Sequence, residues 1–280
     1  MNLDDLVDAV GFVRSGPGVP DWTLGCFRRR SITYFTGQED RTTQVYWLQS
    51  RGLTVDLRVN PARRDLVEGG LADTRWADGE MSWSNWTAFL PHARWPEPGR
   101  LTRVGNCLIE FAPSGAYVED WRTQSQGIGP LVGLRMEEER VLATGEVRHR
   151  GGGLLVCGRT AALVRGRPDP VGAGNARPAS EVSFATQQAS DQAFTIQLST
   201  DAGREGTTLS LDGFDLTRPG GRRVIQRLED GGEALERSFV IDTLERLCLA
   251  ADTAPHPDGA VWFEREREFL LPGALTDLHR

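Results

Sequence analysis

The stretch Thr42–Val59, TTQVYWLQSRGLTVDLRV, reads as two strands folded about Arg51-Gly52. Side chains alternate along a strand, so Thr54, Asp56 and Arg58 share one face of the second strand, and Leu53, Val55, Leu57 and Val59 share the other. In an open sheet the polar row simply faces water. In a barrel it lines either the interior or the exterior, and parity alone does not choose between them.

Outward from this hairpin the texture is similar. Strands are expected at 28–36, 44–50, 53–59, 80–89, 101–112 and 115–124, separated by turn residues such as Asn60-Pro61 and Pro113-Ser114-Gly115. Residues 125–130, small and rich in glycine, read as a linker, and a second strand series follows over 131–138, 141–150, 153–159, 161–167, 180–188, 193–200, 206–215, 221–229, 234–241 and 260–270. Helical spacing occurs at 2–12 and at 241–252, where Ile241, Leu244, Leu247 and Cys248 form a stripe. The run 61–78 lacks strand alternation and reads as a helical turn and loop, either a lid over a barrel mouth or an ordinary surface loop. Short strands, many turns and few helices define an all-β protein. The hairpin 154–167 echoes 45–59, as a duplication or as a chance likeness of two hairpins.

Composition narrows the chemistry. At 280 residues with 39% hydrophobic and 25% charged residues, the chain suits two ordinary domains or one large β unit. All 32 basic residues are arginine, so a lysine Schiff base or a phosphate-loop lysine is impossible. A net charge of -7 speaks against general nucleic-acid binding. No apolar run approaches the ~20 residues of a membrane span, and the acidic start MNLDDLVDAVGF is unlike an export signal, so a cytoplasmic protein with no membrane partner is expected. Cys26, Cys107, Cys157 and Cys248 are far apart and read as free thiols. The four histidines show no metal-binding spacing, so no metal or cofactor is expected.

The segments WLQSRGLTVDLRV, GGLLVCGRTAALVRGR and TIQLSTDAGREG resemble an uncharacterised bacterial family of two-barrel proteins related to the calycins, the lipocalin-like superfamily. The resemblance implies two antiparallel lipocalin-like β-barrels packed together with one or two short helices. The N-terminal barrel would occupy 1–127 and the C-terminal barrel 128–280. It further implies a small hydrophobic or aromatic ligand in at least one barrel.

Candidate chemistry gathers in the first half. Leu108, Glu110 and Ala112 share a face, as do Tyr117, Glu119 and Trp121 beyond the turn, so pairing about Ser114 brings Glu110 and Glu119 together. In water they repel mildly, whereas in a cavity one rises in pKa and becomes a proton donor. Glu110, Glu119, Tyr117 and Asp56 are therefore the acid–base candidates. Trp47, Gln49, Arg58, Trp83 and Trp121 supply the mixture of aromatic and polar groups expected of a ligand pocket. Asp56 and Arg58 are placed to pair along one strand face, and Trp83 and Trp86 are expected on opposite sides of theirs. Three functions fit: a small-molecule-binding barrel, a cofactor-independent lyase, isomerase or cyclase using carboxylates, and an interaction module with filled barrels. A homodimer is compatible with each.

Overall fold

A computed structural model of the chain describes residues 1–87, 97–124, 129–166, 180–187, 193–218, 220–246 and 256–274. The strands in the first half are β1 (Val13–Arg14), β2 (Gly25–Tyr34), β3 (Glu39–Asp40), β4 (Gln44–Gln49), β5 (Leu53–Asn60), β6 (Arg63–Ala77), β7 (Glu80–Thr87), β8 (Gly99–Val104), β9 (Cys107–Phe111) and β10 (Tyr117–Thr123). In the second half they are β11 (Leu131–Val141), β12 (Val147–Arg150), β13 (Gly152–Cys157), β14 (Thr160–Arg165), β15 (Glu181–Gln187), β16 (Phe194–Ser199), β17 (Thr208–Leu209), β18 (Phe214–Leu216), β19 (Arg223–Asp230) and β20 (Glu233–Glu245). Helices α1 (Leu3–Val10) and α2 (Pro257–Leu270) lie near the two ends.

The all-β expectation holds. Eight strands, β2 and β4 to β10, form an antiparallel meander in sequence order, and β10 pairs back onto β2 to close the barrel. Closure removes the sheet edges. The second sheet runs β17-β16-β15-β14-β13-β11-β20-β19-β18 as a curled half-barrel, and its outermost strands do not pair with each other among the described residues. The start of the chain joins this second sheet: β1 pairs with β20, and Leu3, Leu6 and Val7 of α1 enter its core.

The two sheets meet face to face, and this contact settles which way β5 points. Leu53, Val55, Leu57 and Val59 are all buried and share a core cluster with Leu155, Ala162, Val182 and Phe184 of the second sheet. Tyr46 of β4 packs its ring 5.7 Å from Phe184. Gly69, in register with Leu57, leaves room for this approach, since a β-carbon there would meet Val182 at 3.2 Å. The outer wall of the barrel is thus apolar, and Thr54, Asp56 and Arg58 are turned inward. Strands β13 and β14 read as unbroken apolar runs because both of their faces are covered. One face packs on the barrel, and the other packs on a separate cluster that includes Phe239 and α1.

Several local expectations fail. Residues 63–77 form the long strand β6, because pairing with both neighbours supplies the regularity that its own alternation lacks. The stripe at 241–252 is strand as far as Glu245, where β20 pairs with β11. The remainder, 247–252, lies outside the described residues, as do 125–128 of the expected linker. The alternating charges of 260–270 are helical: His256 caps α2, Pro257 occupies its first turn, and Glu264 pairs with Arg267 one turn on. The segment 101–112 is also two strands rather than one, broken by Gly105 with φ +59°. Cys26, Cys107 and Cys157 are free thiols, and Cys248 is outside the described residues. Among the described residues, no helix is long and apolar enough to cross a membrane.

If the outward face of β5 is the seam between the sheets, Leu57→Ala should lower unfolding free energy by about 2–5 kcal/mol in denaturant titration. A loss below ~0.5 kcal/mol would mean that the face is solvated.

Candidate functional site in the barrel interior

The inward row of β5 borders a cavity. On β4, Trp47 lies opposite Asp56 and projects inward beside it. Glu110 and Glu119 are direct cross-strand partners on β9 and β10, as the spacing about Ser114 predicts, and both are buried. Trp121 follows Glu119 on the same face. Trp83 and Trp86 of β7 complete the lining with Thr54. The centres of water molecules reach only about 20 Å³ between these side chains. That is room for about one water, so any larger occupant must displace side chains.

Trp86 is the lining residue that strand parity misses. Trp83 and Trp86 are three residues apart and should point to opposite sides, yet both border the cavity. Asn85 between them has φ +53°, and the pairing of β6 with β7 shifts register between Leu71 and Asp73. This bulge adds a residue and turns Trp86 inward. The Asn-Trp dipeptide contains an Asn, the residue besides glycine that most readily adopts a left-handed backbone, but no sequence pattern announces the bulge. Among the described residues, β7 pairs with β8 at Glu80 and Met81 only.

The indoles stand at steep angles to each other. Trp47 is 5.4 Å from Trp121 at 68° and 6.5 Å from Trp83 at 81°. The Trp47 N–H donates to Thr54 Oγ1 at 2.7 Å and Gln49 Oε1 at 3.1 Å, and that of Trp121 donates to Glu110 Oε2 at 3.2 Å. The Trp86 Nε1 is buried with no hydrogen-bond partner among the described residues. Gln49 does not border the cavity. It donates to the carbonyls of Ser50 and Leu53 and so fixes the hairpin turn and the Trp47 ring. Tyr117 shares the Glu119 face of β10 without lining the cavity. Burial first, then Glu110 and Glu119, push its phenol well above the ordinary range. Trp76 packs edge-on against Trp22 elsewhere, and Trp95 is outside the described residues.

The charges are unequally partnered. Asp56 and Arg58 pair along β5 through Nε–Oδ1 at 2.9 Å and Nη2–Oδ2 at 3.3 Å. Burial opposes the charge on Arg58, but Asp56 and then Glu119 more than offset it. Glu119 Oε1 accepts from the buried Arg29 at 2.7 Å, and Arg29 reaches Asp40 at 3.2 Å. Burial works against the Asp40 charge, while hydrogen bonds from Thr43 and Thr42 hold its carboxyl far below the usual range. Glu110 has no ion pair, and only Trp121 donates to it among the described residues. Burial, and then the Glu119 carboxylate, push Glu110 up to about 8 against the pull of Arg58. Gly99 is packed under it, since a β-carbon there would sit 2.7 Å from Glu110 Oε1. At neutral pH the interior therefore presents Glu110 as a neutral carboxylic acid, a group suited to giving a proton.

A second buried charge cluster in the curled sheet differs in this respect. Arg165, Arg204 and Arg237 interlock with Glu139, Glu181 and Asp230, three cations against three anions. Every carboxylate there has an arginine, as expected of a structural network. Among the described residues, no group of His, Cys, Asp and Glu has the arrangement needed to hold a metal. No protein-family model, curated protein or solved structure matches the chain at a significant level.

Between the ordinary carboxyl value of 4.5 and about 8, the folded chain keeps the Glu110 proton that the unfolded chain has lost. Its contribution to stability thus falls as pH rises through that window and levels off above it. Glu110→Gln should match the parent near pH 4 and exceed it at pH 8 by something on the order of 1–4 kcal/mol in denaturant unfolding. Equal stability differences at both pH values would mean that the carboxyl is solvated.

Proposed function

We propose that this chain is a small-molecule-binding β-barrel protein whose ligand occupies the interior of the closed barrel, against Trp47, Trp83, Trp86 and Trp121. One observation carries the reading: the row Thr54, Asp56, Arg58 faces inward and meets Glu110 and Glu119 there. Burying charge costs several kcal/mol per ion even after relaxation, so a barrel that needed only a filled core would be better served by aliphatic side chains. Few polar groups among aromatic walls is the usual make-up of a ligand site. Trp86 loses no hydrogen bond by moving, which suits it to yield when a ligand enters. The meander order and first-to-last closure support a calycin-like architecture for this barrel, and the curled second sheet is read as its open counterpart.

The carboxylate pair favours a second reading, a cofactor-independent lyase, isomerase or cyclase. Glu110 would be the proton donor, and Asp56 or Glu119 the acceptor. Proton transfer needs an acid and a base held apart in protonation state within one pocket.

Native mass spectrometry of protein purified from its own host tests the first reading: a retained species, released on unfolding, is expected. Glu119→Gln, followed for binding and turnover of that species separately, divides the two. Loss of binding alone fits a carrier, and loss of turnover with binding intact fits an enzyme. Bare protein together with an inert Glu119→Gln variant would leave the barrel a filled interaction module.

A further inference from the structure

The lining holds two kinds of group, indoles and carboxylates, that both favour a positive charge beside them. Four indoles supply π faces, and Trp47 stands nearly perpendicular to both Trp83 and Trp121, so the faces are turned in different directions. Such faces attract cations through their quadrupole, most strongly where water is excluded. Three carboxylates, Asp56, Glu110 and Glu119, border the same space. Two of them are already matched, Asp56 by Arg58 and Glu119 by Arg29. The third is not: Glu110 is 4% exposed, accepts one hydrogen bond on Oε2 from Trp121, and forms no ion pair among the described residues. A buried carboxyl without an arginine, beside aromatic side chains, favours a positive charge near it.

We infer that the ligand of this barrel is a small organic cation, an alkylated amine whose positive centre takes the place beside Glu110 among the faces of Trp47, Trp83, Trp86 and Trp121. The inference rests on the reading of the barrel interior as a ligand site. Gly99 lets the Glu110 carboxyl lie where it does. Without the cation, Glu110 keeps its proton, because burial and Glu119 disfavour a further negative charge. The titratable and charged groups facing it are Glu119 across the hairpin, Asp56 and Arg58 from β5, and the uncharged phenol of Tyr117 from β10. When the cation enters, the carboxyl gives its proton to the buffer and becomes the counter-ion, so the net charge inside the barrel is unchanged. Binding is therefore an exchange of a proton for a larger cation, and it strengthens as pH rises toward the Glu110 titration.

Choline is the probe, because its charge is permanent and any proton released must come from the protein. Its partner probe is dimethylbutanol, in which carbon replaces the charged nitrogen. Titration calorimetry at pH 7 in two buffers of different ionisation enthalpy, with tryptophan fluorescence alongside, should show choline binding at least roughly tenfold more tightly than the alcohol. Close to one proton should be released per choline. Glu110→Gln should abolish the proton release and weaken choline roughly tenfold or more. Trp86→Leu should erase the preference for choline over the alcohol, which keeps the test open if the first variant folds poorly. Equal binding of choline and the alcohol would overturn the cation inference while leaving the ligand site standing. Proton release unchanged in Glu110→Gln would overturn it as well. Failure of both probes, with a neutral or anionic species retained from the host, would overturn the cation and spare the site. Failure of both with bare protein from the host would remove the site itself.

Discussion

The seam between the two sheets governs the rest of the molecule. The apolar face of β5 must be covered, and the covering surface is the second sheet, whose Leu155, Ala162, Val182 and Phe184 close over it. Because strand faces alternate, sealing Leu53, Val55, Leu57 and Val59 against that sheet commits Thr54, Asp56 and Arg58 to the barrel interior. A barrel standing alone would put its apolar face inside and its polar face in water. Here the second sheet inverts that arrangement on one wall, and a hydrophilic cavity is the consequence.

With charge committed to the interior, the arginines decide how it is tolerated. The chain contains no lysine, and guanidinium groups suit buried pairing because their planar fork engages a carboxylate at two points, as Arg58 does with Asp56. In the curled sheet three arginines and three carboxylates close a network with nothing left over. In the barrel, among the described residues, Asp56 pairs with Arg58 and Glu119 with Arg29, while Glu110 has no arginine, and burial and then Glu119 favour its protonated form. The two clusters thus differ in whether every buried carboxylate has an arginine partner.

Much of this was legible before any coordinates. Turn residues marked nearly every hairpin, and the alternation about Ser114 paired Glu110 with Glu119 correctly. Asp56, Arg58, Trp47, Trp83 and Trp121, grouped by their aromatic and polar character, do border one cavity, although parity left open whether they faced in or out. What sequence could not supply was long-range. The direction of β5 depends on residues more than 90 positions away. Trp86 turns inward through a left-handed Asn85, which periodicity does not encode. The 15-residue strand β6 takes its order from partners on both sides. The charge alternation at 260–270 mimicked a strand, although His256-Pro257-Asp258 carried the opposing helix-start signal in plain view. Gln49, polar and correctly placed by parity, serves the hairpin turn rather than the cavity because its amide finds two backbone carbonyls first.

The hydrophilic interior can be tested directly by following the carboxyl carbons of isotopically labelled glutamate by NMR across a pH titration. One glutamate should titrate near 8, and that titration should vanish from the spectrum of Glu110→Gln. If no glutamate titrates above about 5, Glu110 lies in water, and the inward-facing polar wall does not exist.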